Sequence, residues 1–324
     1  MSCSPTLCRA FYQCPFAPCA RQSERCAEMK KNQSYDPSPI NQPKRKRATP
    51  EEMQERRDFV VEFCREFSPV SVRGVYYQAT VRNLVEKTEK GYKKIQREVL
   101  QARREKQIPY WQVTDNSRSF YQVKSHDSLS NAAESFAYTY KRDFWAQSDT
   151  AVEVWLEKEA LSGVIRPVTN EYRIRMVPTR GFSSETIVHN AVQDAAEGGK
   201  DRLLVVTLYD FDRSGQDAEA ALVGRMQEFA EEFGIAIEHV KLGLSHQQVI
   251  DMGLPTRPAK RESGADKKWP YDFACELDAI SPNVLRRMVA EAIDPYMPQH
   301  QRQLIEAEEE HERVKIRMML SDAA

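Results

Sequence analysis

Residues 203–215 read LLVVTLYDFDRSG, an apolar, β-branched run that stops at two aspartates one residue apart, Asp210 and Asp212. A run of this length without alternation fits a strand buried on both faces, and the helical pattern after Gly215 makes it one strand of a parallel α/β sheet. Both aspartates then stand at the strand's carboxyl end. Open α/β sheets bind ligands along that edge, and two carboxylates held close together repel unless a cation offsets them. A hard divalent metal suits such a pair.

Two blander readings compete with the metal. Residues 210–215 fit the first half of an EF-hand loop, but the twelfth position falls on Ala221, where a bidentate glutamate is needed, and the preceding segment is a strand. Asp and Ser ahead of a helix are also ordinary N-caps, and Gly an ordinary turn residue. A second acidic element shifts the balance. Residues 152–156 (VEVWL) form another short β-prone run, which ends in Glu157-Lys158-Glu159 before a helical segment starting near Ala160. Residues 173–178 read as a strand, 184–196 as a helix and 237–242 as a fourth strand, so the repeating βα order predicts one doubly wound domain. An isolated E-K-E is a solvated surface motif. In order with the D-x-D, Glu157 becomes a metal-ligand candidate beside Asp210 and Asp212.

Further back, residues 71–78 read SVRGVYYQ. If this segment is helical, Arg73 and Tyr77, four apart, share a face and can approach one phosphate together, which suits a transesterase. Without such a constellation a tyrosine pair is aromatic core packing. Residues 92–106 follow as a helix-compatible stretch carrying Lys93, Lys94, Arg97, Arg103 and Arg104, either a nucleic-acid contact or a solvated basic face. Residues 108–118 (IPYWQVTDNSR) read as a strand and turn, with Arg118 available for a phosphate.

Four motifs occur in a recognisable order: Arg73-Gly74-Val75-Tyr76-Tyr77 (R-x-x-[FY]-Y), Glu157-Lys158-Glu159 (E-K-E), Asp210-Phe211-Asp212-Arg213-Ser214-Gly215 (D-x-D-P-x-G) and Glu276-Leu277-Asp278-Ala279-Ile280 (E-L-[DE]-A-[LI]). In that order and spacing the chain, over roughly residues 50–295, resembles the A subunit of topoisomerase VI and its relative, the meiotic double-strand-break transesterase. Arg213 replaces the family's proline, and Gly181-Phe182-Ser183-Ser184 stands where a G-[FY]-P-x turn is usual; both touch loop stiffness more than chemistry. The resemblance implies a winged-helix domain over residues 50–147, with residues 108–118 in its wing, and a toprim domain over 148–295. It makes Tyr77 the nucleophile that joins the 5′ end of a DNA break, Arg73 its cationic neighbour, and Glu157, Asp210 and Asp212 the ligands of Mg2+, with Mn2+ as a substitute. It also implies double-stranded DNA as substrate and a homodimer in which each tyrosine serves the other protomer's metal site. No ATPase domain is recognisable, so strand passage would require a separate ATP-hydrolysing B-type subunit. Two other readings stay open: a toprim nuclease that uses metal-activated water, and a DNA-binding relative without turnover.

The 324 residues suit about two domains, and 41% hydrophobic residues suffice for packed cores. With a net charge of −1, attraction to DNA must come from local patches. No apolar run approaches membrane-spanning length and no signal peptide is evident, which predicts a cytoplasmic protein without a membrane partner. Residues 1–49 hold five of the seven cysteines among prolines and polar residues, with no histidine nearby, ahead of Pro43-Lys44-Arg45-Lys46-Arg47; they read as a disordered tail. Residues 296–324 read as a charged C-terminal helix.

Overall fold

Among the described residues three helices come first, and each begins on a hydroxyl that satisfies an otherwise orphaned backbone N–H. α1 (Pro50–Phe67) starts on a capping box formed by Thr49 and Glu52. α2 (Val72–Val81) starts on Ser71 and α3 (Glu89–Arg104) on Thr88. The computed structural model describes residues 48–114, 122–297 and 299–321, so the cysteine-rich tail, the basic run 43–47 and Arg118 lie outside the described residues. Arg57 of α1 clamps α3 through Glu98 at 2.9 Å and Glu105 at 3.1 Å. Phe59, Phe63, Val75, Ile95 and Val99 fill the space between the helices.

The strand and turn expected from Ile108 are not formed as far as Thr114. Tyr110–Gln112 is instead a single 3-10 turn, and Val113 makes only an isolated parallel bridge to Val70. Pro109 offers no N–H to a ladder, and Arg103 braces the turn by donating to the carbonyls of Tyr110 and Val113. Among the described residues 108–114, the expected wing therefore shows no strand.

Beyond α4 (Leu129–Thr139) come four strands, β1 (Thr150–Leu156), β2 (Arg175–Pro178), β3 (Arg202–Leu208) and β4 (Ala236–Lys241). All pair in parallel in the order β2-β1-β3-β4. The intervening helices are α5 (Ser162–Tyr172), α6 (Glu185–Glu197) and α7 (Arg213–Phe233). Side chains alternate across the pleat: Val154, Leu156, Leu204, Val206 and Leu208 join the core shared with α1–α3 and α5, while Trp155, Leu203 and Val205 join a second core against α6 and α7. Both faces are covered, which is why the strands are continuous apolar runs. The doubly wound α/β reading holds.

The short helix α8 (His246–Asp251) precedes a two-stranded antiparallel ribbon, β5 (Arg257–Pro258) and β6 (Phe273–Ala274). α9 (Pro282–Ile293) packs on α5, and α10 (Gln299–Ser321) packs on α4. Glu309 of α10, almost fully buried, gathers Lys141, Arg173 and Arg313. Among the described residues, no helix is long and apolar enough to cross a membrane.

Candidate active site at the carboxyl edge of the sheet

In the order β2-β1-β3-β4 the chain leaves β1 for one side and returns to the other, so β1 and β3 flank the switch point where such sheets open a crevice. Glu157 follows β1; Asp210 and Asp212 follow β3. Leu156 pairs with Leu208 and Glu157 N donates to Leu208 O, which sets Glu157 beside Asp210, while Asp212 adds its charge from two residues further on. Glu157 Oε2 accepts from Asp210 N at 2.8 Å. Gly215 permits this approach, since a Cβ there would lie 2.7 Å from Asp210 O and 2.9 Å from Glu157 Oε2. Burial, and then the neighbouring Asp210 charge, push the Glu157 carboxyl up to about 7.

The bland reading of Asp212 holds for one of its oxygens: Oδ1 caps α7 by accepting from Gly215 N at 2.8 Å. Oδ2 is held by Arg257 at 2.7 Å. Asp210 Oδ1 accepts from Leu277 N at 2.9 Å, and Oδ2 lies 2.6 Å from Lys158 Nζ. Oxygen-only carboxylate donors suit Mg2+ or Mn2+. The donor chemistry therefore fits. In the folded chain Lys158 and Arg257 supply part of that charge, and among the described residues no group of three His, Cys, Asp or Glu side chains stands ready to hold an ion.

Arg73 and Tyr77 do share one face of α2, and that face meets the acidic edge through residues 276–279. Ser71 Oγ donates to Asp278 Oδ1 at 2.9 Å, Arg73 Nη1 lies 3.1 Å from Glu276 Oε2, and Gln78 Nε2 donates to Ala279 O at 3.0 Å. Tyr77 is only 5% exposed and faces the Glu276 carboxylate. Burial, reinforced by the Glu276 charge, raises the phenol above its ordinary value. Tyr76 points elsewhere, donating to Thr88 O at 3.3 Å and packing edge-on to Tyr92. Residues 275–277 complete the junction, since Cys275 and Phe211 exchange backbone bonds of 2.9 Å.

Lys158 binds the two halves. Its ammonium lies 2.6 Å from Asp210, 2.9 Å from Glu276 and 3.3 Å from Asp278. Burial alone would favour the neutral amine, but Asp278 and Asp210 hold it charged. Beside it opens a cleft of about 780 Å³ lined by Arg73, Tyr92, Gln96, Arg103, Glu157, Lys158 and Arg180, among others.

The basic candidates of α3 part company. Lys93, Arg97 and Arg104 are exposed, and the spacing 93, 97, 104 puts them on one stripe; Lys94 is half-buried. Arg103 is occupied, with its guanidinium 5.2 Å over the Tyr110 ring as well as bonded to the turn. Sequence reasoning missed Lys158, Arg257 and Glu276 as site residues. The E-K-E and E-L-D-A-I motifs held the signal for two of them; nothing local marks Arg257. Compared with known proteins, the chain matches no family model, no curated protein and no solved structure.

Proposed function

We propose that this chain cleaves DNA by a metal-dependent tyrosyl transesterification, with α1–α3 as a winged-helix-like DNA-binding part and the parallel sheet as a toprim-like part. The phenol oxygen of Tyr77 attacks a phosphodiester; the Tyr77 O–P bond forms, the bond from phosphorus to the 3′ oxygen breaks, the phenolic proton is lost and the 3′ oxygen gains one. The products are a 5′-phosphotyrosyl link and a 3′ hydroxyl. The observation that carries this reading is the convergence of Arg73 and Tyr77 on Glu276 and Lys158, at the sheet edge that bears Glu157, Asp210 and Asp212.

Within it, Arg73, half-exposed at the cleft, binds the phosphate, for which a guanidinium is well shaped. Lys158 and Lys87, the latter 5.2 Å from the Tyr77 ring centre, add positive potential where the phenolate develops. A Mg2+ ion held by Glu157, Asp210 and Asp212 would offset charge on the phosphate and the leaving 3′ oxygen. The exposed stripe of Lys93, Arg97 and Arg104 contacts the duplex backbone.

The test is trapping of protein on DNA under denaturing conditions. Wild type and Tyr76→Phe form adducts with Mg2+, whereas Tyr77→Phe and chelator-treated protein do not. Cutting by Tyr77→Phe at the wild-type rate overturns the reading. The burial of Tyr77 favours one second reading, a nuclease whose nucleophile is water, and it predicts cleaved ends free of protein. The contacts of Arg73 and Tyr77 with Glu276 lie within one chain, whereas the resemblance implies that each tyrosine serves a partner's acids. Mixing Tyr77→Phe with Asp210→Asn protein decides between them, since only the partner arrangement restores single-strand nicking.

A further inference from the structure

Glu276 is the most heavily shared side chain of the site, yet the transesterification gives it no bond to make. Its carboxylate lies 2.9 Å from Lys158 and 3.1 Å from Arg73, with Arg257 at 3.7 Å, and it faces the Tyr77 phenol. These partners differ in freedom. Lys158 is buried among three acids, and Arg257 is anchored on Asp212 at 2.7 Å. The Arg73 side chain is 47% exposed and lines the open cleft. Arg73 is therefore the cation that can turn toward an incoming ligand without stranding a buried charge.

We propose that Glu276 is a latch on the nucleophile: it holds Tyr77 and Arg73 in a self-paired resting arrangement and yields Arg73 when a phosphodiester enters the cleft. This rests on the transesterase reading. A carboxylate beside a phenol accepts its hydrogen bond and opposes the phenolate, whereas the other charges facing Tyr77, from Arg73, Lys87 and Lys158, favour it. While Arg73 stays on Glu276, that carboxylate is held below its usual range against the effect of burial, by Lys158 and then Arg73, and draws the phenolic proton weakly. Once a phosphate takes Arg73, that resting pair is broken. In the empty site the Glu276 charge keeps the buried phenol protonated and the tyrosine inert.

The experiment places 3,5-difluorotyrosine in place of Tyr77, whose more acidic phenol titrates in an accessible pH range, and follows it by fluorine NMR in the full chain. Glu276→Gln lowers the titration midpoint, with an increase in acidity of about tenfold or more, and shifts the pH profile of adduct formation with a DNA duplex the same way. Glu276→Asp, which keeps the charge and the Lys158 pairing but withdraws from the ring, moves the midpoint less in the same direction and serves where Glu276→Gln does not fold. A midpoint unchanged in every folded variant overturns the latch, even where Tyr77-dependent adducts show the transesterase reading to be right. A midpoint that falls in a protein that never forms adducts supports the latch and removes the transesterase reading instead.

Discussion

Lys158 stands 2.9 Å from Glu276, and this ion pair joins the strand end after β1 to the segment on which α2 is seated. The same ammonium also neutralises Asp210 and Asp278, both buried. Removing it leaves three acids without their shared cation, and breaking a buried pair from one side costs far more than the pair's net worth. Lys158→Met is expected to lose about 3 kcal/mol of stability at pH 8. The loss shrinks as the pH is lowered and the stranded carboxyls take up protons. Urea unfolding at pH 8 and pH 5 checks both parts, and a small loss equal at the two pH values would contradict them.

Gly215→Ala tests whether the acids need their close approach. The added Cβ meets a backbone oxygen, Asp210 O at 2.7 Å, which cannot move aside as a flexible side chain could. The expected cost is about 1 to 3 kcal/mol, with a fall in Mn2+ affinity because Glu157 is pushed from its place. Unaltered Mn2+ binding, read by electron paramagnetic resonance, would show that Glu157 is not a ligand.

Burial pushes the Glu153 carboxyl from 4.5 up to about 7, opposed by Arg175 at 3.1 Å and by the bond from Trp155 Nε1 at 2.9 Å. Between these two values the folded chain keeps a proton that the unfolded chain has lost. Stability from this group is therefore fully present below about pH 4.5 and declines as pH rises toward 7. Glu153→Gln keeps an acceptor for Trp155 and removes the titration, so its stability should vary less over pH 5 to 7.5, by on the order of 2 kcal/mol. Parallel stability curves for the two proteins would refute this.

On α3, neighbouring arginines should behave oppositely. Replacing Lys93, Arg97 and Arg104 with alanine leaves the fold intact and makes the dependence of log affinity for duplex DNA on log salt shallower by about 2 to 3, as expected for three phosphate contacts. Arg103→Ala instead lowers the melting temperature, because the Tyr110–Gln112 turn loses its brace. Equal salt slopes for the triple variant and wild type would take the stripe out of the interface.

What the sequence by itself determined was whatever is written in local periodicity. Largely apolar runs fixed β1 and β3 as strands covered on both faces, because a polar side chain there is buried and needs a partner; Glu153, bonded to Trp155 and Arg175, and Thr207, bonded to Glu219 and His239, have theirs. The four-residue step from Arg73 to Tyr77 put both on one helix face because 3.6 residues make a turn. Carboxylates that end parallel strands at a switch point necessarily share an edge. Tertiary structure alone decided which charges those groups meet. Arg257 reaches Asp212 from a ribbon 45 residues on, and Glu276 meets Arg73 across about two hundred residues of chain, distances over which no periodicity carries information. The same limit explains Arg103, whose basic neighbours suggested DNA and whose guanidinium instead holds a turn, since a side chain's partner depends on what folds against it.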